Sequence, residues 1–284
     1  DLNYSIWYNA AEKLYNLEAP SYNDDSIALV FYKKTAAYLD EKNINDSLHA
    51  DCLIKAANIY QGMQDYQAAI TLYLEALSLN GEKLKSNLIN YLSSLYLGSA
   101  YYLSSTIDSA KIYFEKADII AQKEINMPDK GFLYNSLGLI YYESANYIQA
   151  KNYFEKSLEV TDSTGSDYTE TVISFKSNIA TCYKLLNMER EAIEMYDKLL
   201  LQISRQEPAT SFKQLKYKVS YNAGNCYFNI GNYDSALKHY ENMEYAEDLF
   251  TVKKLNDIGR IYAEKGEWQI AETFFDSAIA VNKK

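Results

Sequence analysis

The sequence predicts an all-α fold built from repeated antiparallel helix hairpins, and three observations carry that expectation. The 284 residues include only 10 Gly and 3 Pro, where average composition would give roughly 34 of the two together. Sandwiches and barrels need these residues at frequent turns, so the shortage counts against an all-β fold and excludes collagen-like or Pro-rich chains. A 48% hydrophobic and 14% aromatic content supplies enough apolar side chain to offset chain entropy, which excludes disorder. Finally, one pattern of small and aromatic residues recurs six times. The 29 Tyr, against 10 Phe and 2 Trp, are the compositional oddity, because each ring carries a hydroxyl that wants a partner.

Taken in order, residues 1–44 read as a degenerate first hairpin. Tyr8, Ala11 and Tyr15 fall on its first helix and Ala28 and Tyr32 on its second, with Pro20–Asp25 as an enlarged turn and Asp24 or Asp25 as N-cap. The regular copies follow. Ala57, Tyr60, Tyr66, Ala69, Tyr73 and Ala76 set the intervals, and Gly98, Tyr101, Ile107, Ala110, Phe114 and Ala117 repeat them. Gly138, Tyr141, Tyr147, Ala150, Phe154 and Ser157 come next, then Ala180, Tyr183, Glu189, Ala192, Tyr196 and Leu199, where only the Glu is off-type. Gly224, Tyr227, Tyr233, Ala236 and Tyr240 form the clearest copy, and Gly259, Tyr262, Trp268, Ala271, Phe275 and Ala278 the last. Small residues allow the two helices of a hairpin to approach, and aromatics fill the space between hairpins. Polar turns such as Met63-Gln64-Asp65 and Lys265-Gly266-Glu267 break the helix once per copy.

This signature resembles the tetratricopeptide repeat over roughly residues 45–284. The resemblance implies a right-handed α-solenoid of six good repeats preceded by the degenerate hairpin, as a single array over 1–284. The period departs from the family norm of about 34 residues: the small residues are spaced 41, 40, 42, 44 and 35 apart. The extra residues fall between hairpins, for example in 125–130 and 161–166, and predict longer helices or loops.

Charge and chemistry narrow the function. The formal net charge is −10, the reverse of the basic field that nucleic-acid binding needs. All of it lies in residues 1–204, since 205–284 hold 11 basic and 11 acidic residues. No run approaches a membrane-spanning length, and no signal-peptide pattern is present. Cys52, Cys182 and Cys226 lack disulfide or metal spacing and read as small apolar core residues. His49 and His239 are far apart along the chain, and His239 reads as exposed. Glu189, Glu191 and Glu194 read as a solvated helix face. No HExxH, GxSxG or phosphate-loop pattern occurs, so the expectation is a non-enzyme without metal or cofactor.

A surface for partners is what remains. In tetratricopeptide arrays the first helices line the concave face, and the resemblance places a candidate set there: Asn58, Tyr102, Asn135, Tyr142 and Asn178, then Lys218, Tyr221, Asn222, Asn225 and Phe228, then Lys253, Asn256 and Arg260. Asn side chains donate to and accept from a peptide backbone whatever its sequence. Lys218, Lys253 and Arg260 partly match the sets with which some such proteins hold a terminal carboxylate, but Asp257 stands where another basic residue belongs. The expected function is a protein-interaction scaffold holding a peptide or partner segment, with a ligand-sensing regulatory half of a larger signalling protein as the alternative. The apolar flank of the last hairpin is a candidate surface for self-association. The few cysteines, with the start at Asp1, point to an extracytoplasmic compartment ahead of the cytoplasm.

Overall fold

One left-handed residue ends the first helix of every regular hairpin. Gln64, Ser105, Ala145, Asn187, Gly231 and Gly266 occupy the same offset from the six small residues, and all have φ between 57° and 77°. The next amide closes the turn on the carbonyl of the conserved-offset Tyr: Asp65 N donates to Tyr60 O, Thr106 N to Tyr101 O, and Asn232 N to Tyr227 O, at 2.8–2.9 Å. This is the 6→1 bond of a Schellman cap. Asp65, Asn146 and Asn232 then cap the second helix by accepting from the backbone three residues on. Turn and cap together fix the angle at which the chain reverses.

The computed structural model describes residues 2–44, 46–161, 166–205, 210–241, 243 and 248–282. Among these, α1 (Leu2–Tyr15) pairs with α2 (Tyr22–Glu41), α3 (Ser47–Gly62) with α4 (Tyr66–Leu79), and α5 (Asn87–Leu103) with α6 (Ile107–Lys123). They are followed by α7 (Lys130–Glu143), α8 (Tyr147–Val160), α9 (Ser166–Leu185), α10 (Glu189–Ile203), α11 (Thr210–Asn229), α12 (Tyr233–Glu241), α13 (Asp248–Glu264) and α14 (Trp268–Asn282). The chain forms two compact units, residues 1–140 and 141–284.

The long period is absorbed in three ways. First helices α9 and α11 reach 20 residues each. A π turn, Asn80–Leu84, follows α4, and the buried Asn80 pins it by exchanging hydrogen bonds with Ser86 (2.8 and 3.1 Å). After α6 the chain loops back, and Lys130 Nζ caps the free carbonyls of Ala121 and Glu124 at 2.8 and 2.7 Å. Of the other predicted insertion, residues 162–165 lie outside the described residues.

In three hairpins the glycine of the first helix faces the ring sixteen residues on, Gly98 that of Phe114, Gly224 that of Tyr240 and Gly259 that of Phe275. A β-carbon on Gly224 would stand 2.6 Å from the Tyr240 ring, so only glycine admits this approach. The small residue therefore makes room for the aromatic itself. Tyr73, Phe114, Tyr196 and Tyr240 are all essentially fully buried. A second aromatic column, absent from the sequence reading, stacks face to face one residue earlier on the second helix. Tyr101 lies on Tyr113, Tyr141 on Tyr153, and Tyr262 on Phe274, with centroids 5.4–5.5 Å apart.

The first hairpin follows the same logic with a longer turn. Ala11, Ala28 and Tyr32 are buried as expected. The cap differs, however. Ser21 is the N-cap of α2 and Asp24 completes a capping box from its third position. Asp24 is inside the helix because the hydroxyl of Ser21 reaches its amide, which leaves 16–21 as the turn. Polar contacts fasten this hairpin to α3. Lys55 Nζ lies 2.6 Å from Glu12 and 3.0 Å from Asp51, within 6.0 Å of the Tyr8, Tyr15 and Tyr32 ring centroids.

Candidate functional site

Inner and outer faces follow from which helices touch. In the N-terminal unit α3 packs on α5, and in the C-terminal unit α9 packs on α11, whereas second helices of neighbouring hairpins make no comparable contact among the described residues. The face made by first helices is therefore the tighter, inner one in each unit, and the candidate residues all belong to first helices.

In the N-terminal unit the Asn58 amide is already engaged. Tyr73 donates to its Oδ1 and its Nδ2 donates to the Tyr15 hydroxyl at 2.9 Å. Tyr102 and Asn135 are half-buried, and each interacts with other side chains or backbone.

The C-terminal unit brings its candidates closer together. Tyr240 donates to Asn225 Oδ1, and the Asn225 amide also faces the Tyr221 hydroxyl. Tyr221 in turn donates to Asp257 Oδ2 at 2.7 Å, and Asp257 Oδ1 accepts from Arg260 at 2.9 Å. The Arg260 guanidinium lies 4.6 Å from the Phe228 ring centroid, a cation–π contact. Burial and the Asp257 carboxylate push the Tyr221 phenol well above its ordinary pKa, so it is a hydrogen-bond donor at any physiological pH. This chain of contacts spans α11 and α13.

A second set spans α9 and α11. Lys218 Nζ on α11 reaches Asn178 Oδ1 at 3.3 Å, and Lys184 Nζ on α9 reaches Asn222 Oδ1 at 2.8 Å. Burial pulls both lysine pKa values below the ordinary range, and Lys218 adds repulsion at Lys184. Lys218 is nonetheless exposed to solvent, a combination that an inner face produces. Lys184 is not among the sequence candidates; its place in the last turn of a first helix is the available signal. Lys253 and Asn256 are exposed on α13, and Tyr142 packs edge-on against Tyr147 at 5.7 Å.

Two sequence readings need correction or extension. His239 is not exposed: its ring stacks on Tyr227 at 5.2 Å, with Nε2 3.7 Å from Asp197, and burial lowers its pKa. It occupies the second aromatic column, where three other hairpins place Tyr113, Tyr153 and Phe274. The three cysteines are free and buried. Among the described residues no group of three or more His, Cys, Asp and Glu is placed to hold a metal, and no helix is long and apolar enough to cross a membrane.

Comparison with known proteins agrees with the architecture. The tetratricopeptide-repeat profile matches residues 50–83, 133–164 and 217–242. Stress-induced-phosphoprotein 1 of Caenorhabditis elegans is 23% identical over 160 residues, covering 51% of this chain and 48% of that protein. Anaphase-promoting complex subunit 6 of Arabidopsis thaliana is 28% identical over 111 residues, 39% of this chain and 19% of that one. The chain thus spans half or less of these curated relatives. A tetratricopeptide-repeat protein from Parabacteroides merdae superposes with a TM-score of 0.63 at 16% identity, covering 99% of this chain and 94% of that one. The apo quorum sensor NprR from B. thuringiensis gives 0.71 at 18%, covering 99% and 75%. NprR in complex with its cognate peptide NprX gives 0.59 at 18%, covering 99% and 78%. The six-fold hairpin signature, its shared turn and these matches agree in marking the chain as an array of tetratricopeptide-like helix hairpins.

Proposed function

We propose that this protein is an interaction scaffold whose first-helix face in the C-terminal unit holds an extended segment of a partner protein or peptide. The observation that carries this reading is the pairing of side-chain amides and cations across the first helices α9 and α11, Lys218 with Asn178 and Lys184 with Asn222, with a second polar chain, Tyr221, Asp257 and Arg260, across α11 and α13. Backbone-directed amides hold a chain of any sequence, and cations choose among sequences. A fold shared with NprR, whose structure is known with its cognate peptide, supports the same reading. The NprR likeness also favours a regulatory variant, in which a bound peptide alters how neighbouring hairpins pack and so signals to a further domain.

The contacts above decide which substitutions test it. Tyr221 and Asn225 hold Tyr240 and Asp257, so their loss confounds binding with folding. Asn178→Ala, Lys218→Ala and Asn222→Ala together leave the Tyr240 contacts in place. Recovery of bound partner from a lysate of the source cells, or of peptides from a random display library, falls at least tenfold in this triple variant while its circular dichroism melt stays cooperative. Unchanged recovery removes this face from the account.

A further inference from the structure

One pair in the second aromatic column differs in chemistry from the rest. Tyr113, Tyr153 and Phe274 stack on Tyr101, Tyr141 and Tyr262, whereas Tyr227 stacks on an imidazole, that of His239, with planes 20° apart. A third group reaches this pair from the neighbouring hairpin. Asp197 on α10 accepts from the Tyr227 hydroxyl through Oδ2 at 2.8 Å, and its Oδ1 lies 3.7 Å from His239 Nε2. One carboxylate therefore ties α10 to both helices of the next hairpin, α11 and α12. The 3.7 Å separation is longer than a hydrogen bond, so the phenol is the firm partner and the imidazole the loose one. Burial and the Asp197 carboxylate push the Tyr227 phenol up to about 12, so it keeps its proton and goes on donating. The charges acting on His239 are Asp197, which favours the imidazolium, and Lys238 on its own helix, which opposes it. Burial outweighs the attraction: the side chain is 18% exposed, and its pKa lies below the ordinary histidine value.

We propose that His239, Tyr227 and Asp197 form an acid-sensitive joint between the α9/α10 and α11/α12 hairpins, closed while the imidazole is neutral and loosened when it takes a proton. The inference stands apart from partner binding, although the first helices of the same two hairpins carry the Lys184–Asn222 and Lys218–Asn178 pairs. Its direction follows from the linkage of proton binding to folding. An imidazole whose folded pKa is depressed costs nothing above its unfolded value of about 6.5. Below that value the unfolded chain takes the proton first, so stability falls until the folded ring is protonated as well. The charged ring then needs water, which opens the stack on Tyr227 and weakens the hold of Asp197 on the second hairpin.

The test follows thermal unfolding of the whole chain, as wild type and as His239→Phe, from about pH 7.5 to about pH 5. Phe suits the position, since Phe274 fills it in the last hairpin. The second histidine, His49, is common to both chains and drops out of the difference. Over this range the wild-type Tm falls about 2 °C further than that of the variant. Asp197→Asn keeps an acceptor for Tyr227 but removes the attraction for the imidazolium, and makes the fall steeper than in wild type. Equal slopes in wild type and His239→Phe, or a shallower slope in wild type, overturn the joint. Two measurements on the wild-type chain need no variant to fold. The His239 Cε1–H resonance, assigned through its proximity to the Tyr227 ring, titrates below the midpoint of free histidine; a midpoint at or above it overturns the proposal. Amide-exchange protection at about pH 5.5 falls in α10, α11 and α12 and is kept in α3–α6; an equal loss in both sets means that acid acts elsewhere, and overturns it too.

Discussion

At the scale of single residues, the tyrosine excess resolves into a pairing rule. Where the buried ring sixteen residues after the small residue is Tyr, the residue following the small one accepts its hydroxyl: Asn58 for Tyr73, Thr181 for Tyr196 and Asn225 for Tyr240. Where the ring is Phe, that position holds Ser99, Leu139 or Arg260. A buried phenol without an acceptor costs more than the ring gains over Phe, so acceptor and hydroxyl occur together. Tyr240→Phe leaves Asn225 Oδ1 without its donor and lowers stability by about 1 kcal/mol, measured by urea unfolding. Asn225→Leu on that background, which reproduces the Leu139 and Phe154 combination of another copy, recovers part of the loss. Additive losses in the two single variants would show that hydroxyl and amide are independent. The rule was legible in the sequence as a covariation between two offsets. It is not decisive there, because Asn58 and Asn225, as polar residues on first helices, read equally well as ligand contacts, and periodicity does not distinguish an amide that faces a neighbour from one that faces solvent.

At the scale of helices and turns, the sequence located the hairpins because each one repeats a small residue, an aromatic and a polar break at fixed offsets. The turn itself was less legible. Its left-handed position is Gly in only two copies, Gly231 and Gly266, and Gln, Ser, Ala or Asn in the others, so composition alone did not mark it. Six superposed Schellman caps show that the backbone geometry is common even where the residue is not. Ala145, at φ 57°, carries the left-handed cost with no side-chain group to offset it. Ala145→Gly stabilises the chain by about 1 kcal/mol and raises Tm by roughly 2–4 °C, readable in a thermal melt. A fall in Tm would mean that the turn is not left-handed at this position. The first hairpin was harder to place for a different reason. Its Ala11 to Tyr32 interval is five residues longer than Ala57 to Tyr73, and the cap that absorbs the difference uses Ser21 and Asp24 together, where the sequence pointed to an acid alone.

At the scale of the whole molecule, the fold class and the general kind of function were open to the sequence, whereas the arrangement of the site was not. Low Gly and Pro, the recurring signature and the lack of catalytic patterns led to a helical-repeat scaffold. The thirteen candidate residues then divide by their contacts. Asn58 holds Tyr15 and Tyr73, and Asn225 and Tyr221 hold Tyr240, Asp257 and each other, while the exposed Lys218 pairs with Asn178 and the unforeseen Lys184 with the buried Asn222 across α9 and α11. That division depends on which side chains meet across helices about forty residues apart, information that no single-helix pattern holds. The exposed apolar side chains Trp268 and Ile279 stand on a second helix, α14, and not on the first helices. Amide hydrogen exchange with and without a peptide selected by the wild-type chain tests the central claim most directly. Protection concentrated in the first helices α9, α11 and α13, with α10, α12 and α14 little changed, is the predicted result; protection confined to the second helices, or to the apolar face of α14, would contradict it.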